Sequence, residues 1–276
     1  MLRSTSDRLI HVALKRLRKE KRMYKHICYE LYTWSKTSHQ NVLELLGIAW
    51  FKNRLVMISP WMEHGNIEDY VHNNPTVDRL TLVSASSGRI RGPILIGSSW
   101  SMKSLQVVHG VNYLHKVPLI HGDLKARNIF VSGDGVVKVG DFGLAKLLGE
   151  QSLRFSASGT QSFGTIRWTA PELFEAQPHR GLASDIYALG MTLLEIVTGR
   201  VPFHELISVR EVMAAVLLRG ERPRMTWEVR EMGRHGSNLW AVLNACWDRV
   251  PERRPSANLI SEWVYLAFLS SLTNRN

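Results

Sequence analysis

A chain of 276 residues, 45% hydrophobic and 21% charged, has material for a sizeable core and length for two small lobes. No apolar run approaches the ~18 residues that span a bilayer, and the opening M-L-R-S-T-S-D-R lacks the apolar centre of a signal peptide, so a soluble, intracellular protein is expected. The net charge of +11 raises nucleic-acid binding through the basic run Lys15 to Arg22, but no nucleic-acid motif and no aromatic-basic interleaving accompanies it. That run is read as a solvated strand-to-helix connection in a cytoplasmic protein, with nuclear import left open.

In chain order, Ile10 to Leu17 (I-H-V-A-L-K-R-L) alternates like a strand and places Ala13, Lys15 and Leu17 on one face. Helical spacing follows, with Ile27, Leu31 and Trp34 at i, i+4 and i+7 and Glu30 on the same side. An acid facing inward is costly unless paired, and Lys15 is its natural partner. His39 to Trp50 and Arg54 to Ser59 read as two further strands ending at Pro60-Trp61-Met62. Asn66 is placed to cap a short helix with Glu68 and Asp69 in its first turn. Cys28 and Cys246 fall on segments read as helices and are expected to be reduced and buried.

Ser84 to Ser104 breaks the pattern, since eleven of its twenty-one residues are Ser, Gly or Pro and none is acidic. Joining Val83 to Leu105 brings Leu80, Val83, Leu105 and Val108 into one apolar stripe, so residues 84–104 are expected to be an insert within a single long helix. Beyond it, His121 to Gly143 holds Asp123, Asn128 and Asp141 in two loops that bracket two short apolar runs, Ile129 to Val131 and Val136 to Val139. The Ser-Gly-Asp-Gly between those runs reads as a hairpin turn. A carboxylate, a carboxamide and a second carboxylate so placed suit holding Mg²⁺ on a polyphosphate while a base orients a hydroxyl. Ser184 to Thr198 is apolar nearly all round and is expected to be a buried central helix stopped by Gly199.

His121-Gly122-Asp123-Leu124-Lys125 through Asn128, then Asp141-Phe142-Gly143, then Ala170-Pro171-Glu172, resemble the eukaryotic protein kinases in order and spacing. The resemblance implies an α+β, two-lobed fold with a small lobe over 1–62, a mainly helical large lobe over 63–276, and transfer of the γ-phosphoryl of ATP to protein hydroxyls. It implies Asp123 as the base and Lys125 as a phosphate contact, with Asn128 and Asp141 on Mg²⁺. Through Val12-Ala13-Leu14-Lys15 it implies Ala13 over the adenine and Lys15, paired with Glu30, on the α- and β-phosphates. Ser59 takes the gatekeeper position, and Pro60, Trp61 and Met62 form the hinge against adenine. Asp185 would brace the catalytic loop, and Arg254 would pair with Glu172.

Lys125 with Gly164-Thr165 favours Ser/Thr acceptors, while Ala126-Arg127-Asn128 and Arg167-Trp168 are similar to tyrosine kinases, which together suggest the tyrosine-kinase-like group. Two departures stand out. The first glycine is Gly47 and only fourteen residues precede Lys15, so the glycine-rich phosphate lid is expected to be missing and the small-lobe sheet incomplete. Gly122 stands where the family has an arginine, which puts in doubt a phosphorylation switch through Ser156, Ser158, Thr160, Ser162 or Thr165. A non-catalytic pseudokinase that binds protein partners is the alternative reading.

Overall fold

A computed structural model of the chain describes residues 2–3, 9–16, 24–74, 100–148, 163–178 and 180–269. Two strands of two residues each, β1 (Leu2–Arg3) and β2 (Leu9–Ile10), pair antiparallel with one another. So brief a pair fits within the fourteen residues that precede Lys15. The alternation in the next residues forms β3 (Val12–Arg16), and helix α1 (Tyr24–Ser35) follows. Strands β4 (Gly47–Phe51) and β5 (Arg54–Pro60) complete an antiparallel sheet in the order β3-β5-β4, in which Ala13 lies opposite Ser59 and Lys15 opposite Met57. Directly opposed residues share a face, so Ala13, Lys15 and Met57 point to the same side.

The single strand expected over His39 to Trp50 is not formed; only its end, from Gly47, joins the sheet. The reason is that Val42 and Leu43 are buried in the large core, which draws residues 41–43 away from the small sheet. There the chain latches onto the loop motif itself. The Leu43 N–H donates to the Val139 carbonyl at 2.8 Å, and the Val139 N–H donates to the Asn41 carbonyl at 2.9 Å.

Helix α2 (Ile67–Asn73) starts as its cap residue dictates: Asn66 Oδ1 accepts from the Asp69 N–H at 2.9 Å, and Glu68 and Asp69 occupy the first turn. Helix α3 (Trp100–Lys116) begins inside the expected insert. Lys103 and Ser104 are among its buried residues, so the insert reading is corrected for residues 100–104. Residues 84–99 lie outside the described residues. Lys103 is held there by the face of Tyr70, 4.7 Å from the ring centroid, and by the Gly135 carbonyl at 3.2 Å; burial depresses its pKa.

Strands β6 (Leu119–Ile120), β7 (Ile129–Val131), β8 (Val137–Val139) and β9 (Lys146–Leu147) carry the loops between them, with β6 paired to β9 and β7 to β8, both antiparallel. Helix α4 (Leu182–Thr198) is buried everywhere except at Leu182, Ala183 and Ala188. It ends where Gly199 takes φ +68° and donates its N–H to the Glu195 carbonyl at 2.8 Å. After α5 (Val209–Met213), α6 (Trp227–Glu231) and α7 (Gly233–Cys246) pack against it and α8 (Ala257–Leu269) against α3 and α7, so the α+β division into a small sheet and a helical bulk is as the sequence implied. Cys246 is buried and its thiol is pushed up to about 12 by burial. Cys28 is exposed, contrary to expectation, because it sits on a face of α1 turned from the core.

Candidate active site

The β7–β8 hairpin closes where the Gly140 N–H donates to the Asn128 carbonyl at 3.0 Å, which sets Asn128 and Asp141 on either side of one junction. On the first side, Asn128 Nδ2 donates to the Asp123 carbonyl at 2.7 Å and to Asp123 Oδ2 at 2.9 Å. Lys125 Nζ lies 2.8 Å from the same Oδ2 and donates to Thr165 Oγ1 at 3.1 Å. One carboxylate oxygen of Asp123 is therefore held twice. The other, Oδ1, is buried and has no hydrogen-bond partner.

On the second side, Asp141 adopts φ +62°, a left-handed conformation that costs a non-glycine residue energy and is often found at functional sites. Its Oδ1 accepts from Lys15 Nζ at 2.6 Å, and Glu30 Oε1 accepts from the same ammonium at 2.6 Å. Burial opposes the charge on Lys15, but the Asp141 and Glu30 carboxylates outweigh it and raise the pKa above the usual lysine value. Burial likewise pushes Asp141 up, yet the Lys15 ammonium beside it brings the net shift downward. Phe142 is fully buried between Trp34, with ring centroids 5.8 Å apart, and His121, at 5.4 Å. The two clusters thus meet on one packed aromatic residue.

Beneath the first cluster, Asp185 of α4 accepts the His121 N–H at 2.7 Å and the Gly122 N–H at 2.8 Å, and His115 Nε2 lies 3.2 Å from it. Burial would raise the Asp185 pKa, but the imidazole and the amide donors bring the net shift down. At the other end of α4, Glu195 Oε2 accepts from the Ala126 N–H and from the Trp168 indole N–H, each at 2.9 Å. Burial pushes this carboxyl up to about 7. Sequence reading passed over Glu195, although a lone acid in the run L-L-E-I-V-T was a usable signal. Glu172 and Arg254 form a bidentate pair at 2.6 and 2.8 Å.

Ser59 and Met62 are buried at the end of β5, while Trp61 is about half exposed and donates its N–H to the His11 carbonyl at 3.2 Å. Among the described residues the Met62 N–H has no backbone acceptor. At Gly122, φ +78° suits glycine, and a side chain there would collide with the Leu144 carbonyl and with Arg180. Ser156, Ser158, Thr160 and Ser162 lie outside the described residues. Among the described residues no helix is long and apolar enough to cross a membrane.

No metal ligand set of three or more His, Cys, Asp and Glu side chains occurs among the described residues. The donor chemistry nonetheless fits a hard divalent cation completed by substrate oxygens. Both hydrogen bonds from Asn128 Nδ2 go to Asp123, which turns its amide oxygen the other way, and Asp141 offers a carboxylate whose Oδ1 is held by Lys15.

Comparison with known proteins gives the same assignment. The family described as protein tyrosine and serine/threonine kinase matches residues 1–264. The chain is 29% identical over 256 residues to the serine/threonine-protein kinase STY17 of Arabidopsis thaliana, an alignment covering 92% of this chain and 40% of that protein. It is 28% identical over 229 residues to the fibroblast growth factor receptor homolog 1 of Drosophila melanogaster, covering 82% and 30% respectively. The tyrosine-protein kinase Btk of the same fly is 27% identical over 243 residues, covering 86% and 27%. The chain therefore spans 40% or less of the length of these relatives. A match over nearly the whole chain, on a fold whose loops bring the expected acids and lysines together, places it in the protein tyrosine and serine/threonine kinase family.

Proposed function

We propose that the chain transfers the γ-phosphoryl of ATP to a Ser or Thr hydroxyl of a protein substrate, inside the cell, with Mg²⁺ as the accompanying ion. The observation that carries this reading is the half-occupied carboxylate of Asp123: Oδ2 is fixed by Asn128 and Lys125, while buried Oδ1 is unpaired. A buried oxygen without a donor is costly, and an acceptor hydroxyl would satisfy it. Asp123 would then orient that hydroxyl and take its proton as the new bond to phosphorus forms. Lys125 would steady the γ-phosphate, and its contact with Thr165 supports a Ser/Thr acceptor by linking it to the segment ahead of Ala170-Pro171-Glu172. Lys15, set by Glu30, would contact the α- and β-phosphates.

The adenine would lie under Ala13, read by the Pro60 carbonyl and the Met62 N–H, with Ser59 behind it and the lobe boundary after Met62. Asn128 and Asp141 would hold Mg²⁺, which when bound neutralises charge on the phosphates. Lys15 would exchange part of its hold on Asp141 for phosphate oxygens. The test is transfer of radiolabelled phosphate to a generic protein acceptor, with Asp123→Asn as the blank. Transfer above that blank is expected; a parent at the level of the blank, but still binding Mg²⁺-ATP, replaces this reading with a non-catalytic one.

A further inference from the structure

The hydroxyl of Tyr29 reaches out of α1 and accepts the backbone N–H of Leu147 at 2.8 Å. Tyr29 directly precedes Glu30, the residue of α1 that meets Lys15. Leu147 lies in β9, four residues beyond Gly143, and β9 pairs with β6, which runs straight into His121. One tyrosine oxygen therefore ties the helix that carries Glu30 to the strand pair that leads from one acidic loop and into the other.

A helix behaves as a rigid rod, so one attachment leaves it free to pivot and a second fixes it. Trp34 supplies the first attachment: its indole N–H donates to the Leu43 carbonyl at 2.6 Å and its ring packs on Phe142. The Lys15–Glu30 pair is a poor second, because the lysine side chain is 43% exposed and ends in a flexible ammonium. Lys15 also has Asp141 as another partner at the same 2.6 Å, so it can keep a carboxylate when Glu30 departs. The Leu147 N–H is partly buried, and leaving such a donor unmade is the more costly change.

We propose that Tyr29 is a positioning residue for phosphoryl transfer, its hydroxyl holding α1 against β9 so that Glu30 keeps Lys15 on the nucleotide phosphates. This role rests on the kinase reading above. Tyr29 would act through Glu30, its neighbour on α1, rather than on the nucleotide itself.

The experiment compares the parent with Tyr29→Phe, Glu30→Gln and the double variant, each assayed well below its own melting midpoint. Tyr32→Phe, altering a half-exposed tyrosine of the same helix, is the control. Tyr29→Phe is expected to lower kcat/KM for ATP about tenfold, the scale of ~1.4 kcal/mol, with KM for the protein acceptor unchanged and the Leu147 amide exchanging faster. Tyr32→Phe should match the parent. The double variant should be no worse than Glu30→Gln, because residues acting through one contact do not add. Parent-like ATP kinetics in Tyr29→Phe, or losses that multiply in the double variant, overturn the role of Tyr29 and leave the kinase reading standing. If the parent binds Mg²⁺-ATP without transferring phosphate, the same cycle is decided on the dissociation constant. A parent that neither binds Mg²⁺-ATP nor transfers phosphate overturns the kinase reading, and this role with it.

Discussion

Replacing Arg254 with Met is expected to cost the fold ~3–5 kcal/mol, the scale for breaking one side of a buried ion pair. The Arg254 side chain is fully buried and engages four partners at once. Its two terminal nitrogens bind the two oxygens of Glu172 at 2.6 and 2.8 Å, while it also donates to the carbonyls of Ala183 at 2.9 Å and Asp248 at 2.9 Å. The guanidinium further lies over the Tyr187 ring, 5.1 Å from its centroid. Methionine fills much of the volume but leaves the Glu172 carboxylate, only 14% exposed, without its counter-charge. For a chain of this length the unfolding entropy is about 0.6 kcal/mol/K, so the loss corresponds to a melting midpoint lower by ~5–9 °C. Scanning calorimetry of the parent, Arg254→Met and the double variant Glu172→Leu/Arg254→Met measures it. The double variant should recover at least half of the loss, since no buried charge is then left alone. A single variant within ~1 °C of the parent, or a double variant as unstable as the single, would refute the reasoning.

Lys15→Met and Asp141→Asn are each expected to abolish the Mg²⁺-ATP-induced rise in melting midpoint; if both keep it, the nucleotide site lies elsewhere. Glu195 has its pKa raised to about 7 from the ordinary 4.5, so the folded state binds its proton more tightly than the unfolded state. The stability this gives is fully present below pH ~4.5 and is lost as pH rises through about 7, a change of up to ~3 kcal/mol. Glu195→Gln should therefore gain on the parent in midpoint between pH 5 and pH 8; parallel midpoints across that range would contradict it. Deleting residues 84–104 should lower the midpoint more than deleting 84–99, because only the longer deletion removes the buried Lys103 and Ser104. Equal midpoints would mean that the first turn of α3 adds nothing.

What could be read from the sequence was whatever local chemistry decides. The Asn66 cap, the Ser-Gly-Asp-Gly turn, the Gly199 stop and the all-round apolar pattern of α4 are short-range statements, and each has its counterpart in the structure. The misreadings occurred where long-range contacts overrode a local pattern. Residues 39–46 read as the start of a strand, but Val42 and Leu43 gain more by burial against β8 than by extending β4. Trp100 to Ser104 is rich in serine and reads as loop, yet tertiary packing recruits it into α3. Cys28 looked buried because cysteine usually is; its place on the outer face of α1 depends on how that helix docks. Within the site, the motif spacing named the acids and lysines, but it could not show that one oxygen of Asp123 is left unpaired, since that depends on where Asn128 and Lys125 point.

The loop that carries Asp123 and Lys125 is held through its backbone by two acids of one buried helix. Asp185 grips the N–H groups of His121 and Gly122, and Glu195 grips that of Ala126. These acids are ten residues apart on α4, roughly 15 Å along the helix axis. The stretch from His121 to Ala126 is thus gripped near both of its ends by one helix. Asp123 and Lys125 lie between these two anchors, so the buried helix sets their backbone, while Asn128 and Thr165 hold their side chains. Such pinning costs the protein two buried carboxylates, and it makes a specific statement about dynamics. The amides of His121, Gly122 and Ala126 should exchange with solvent almost as slowly as those of α4 itself, because they open only when that helix lets go. Amide exchange followed by nuclear magnetic resonance tests this directly. If the Ala126 amide exchanges at the rate of an exposed loop while the amides of α4 stay protected, Glu195 does not anchor the loop and Asp123 is positioned in some other way.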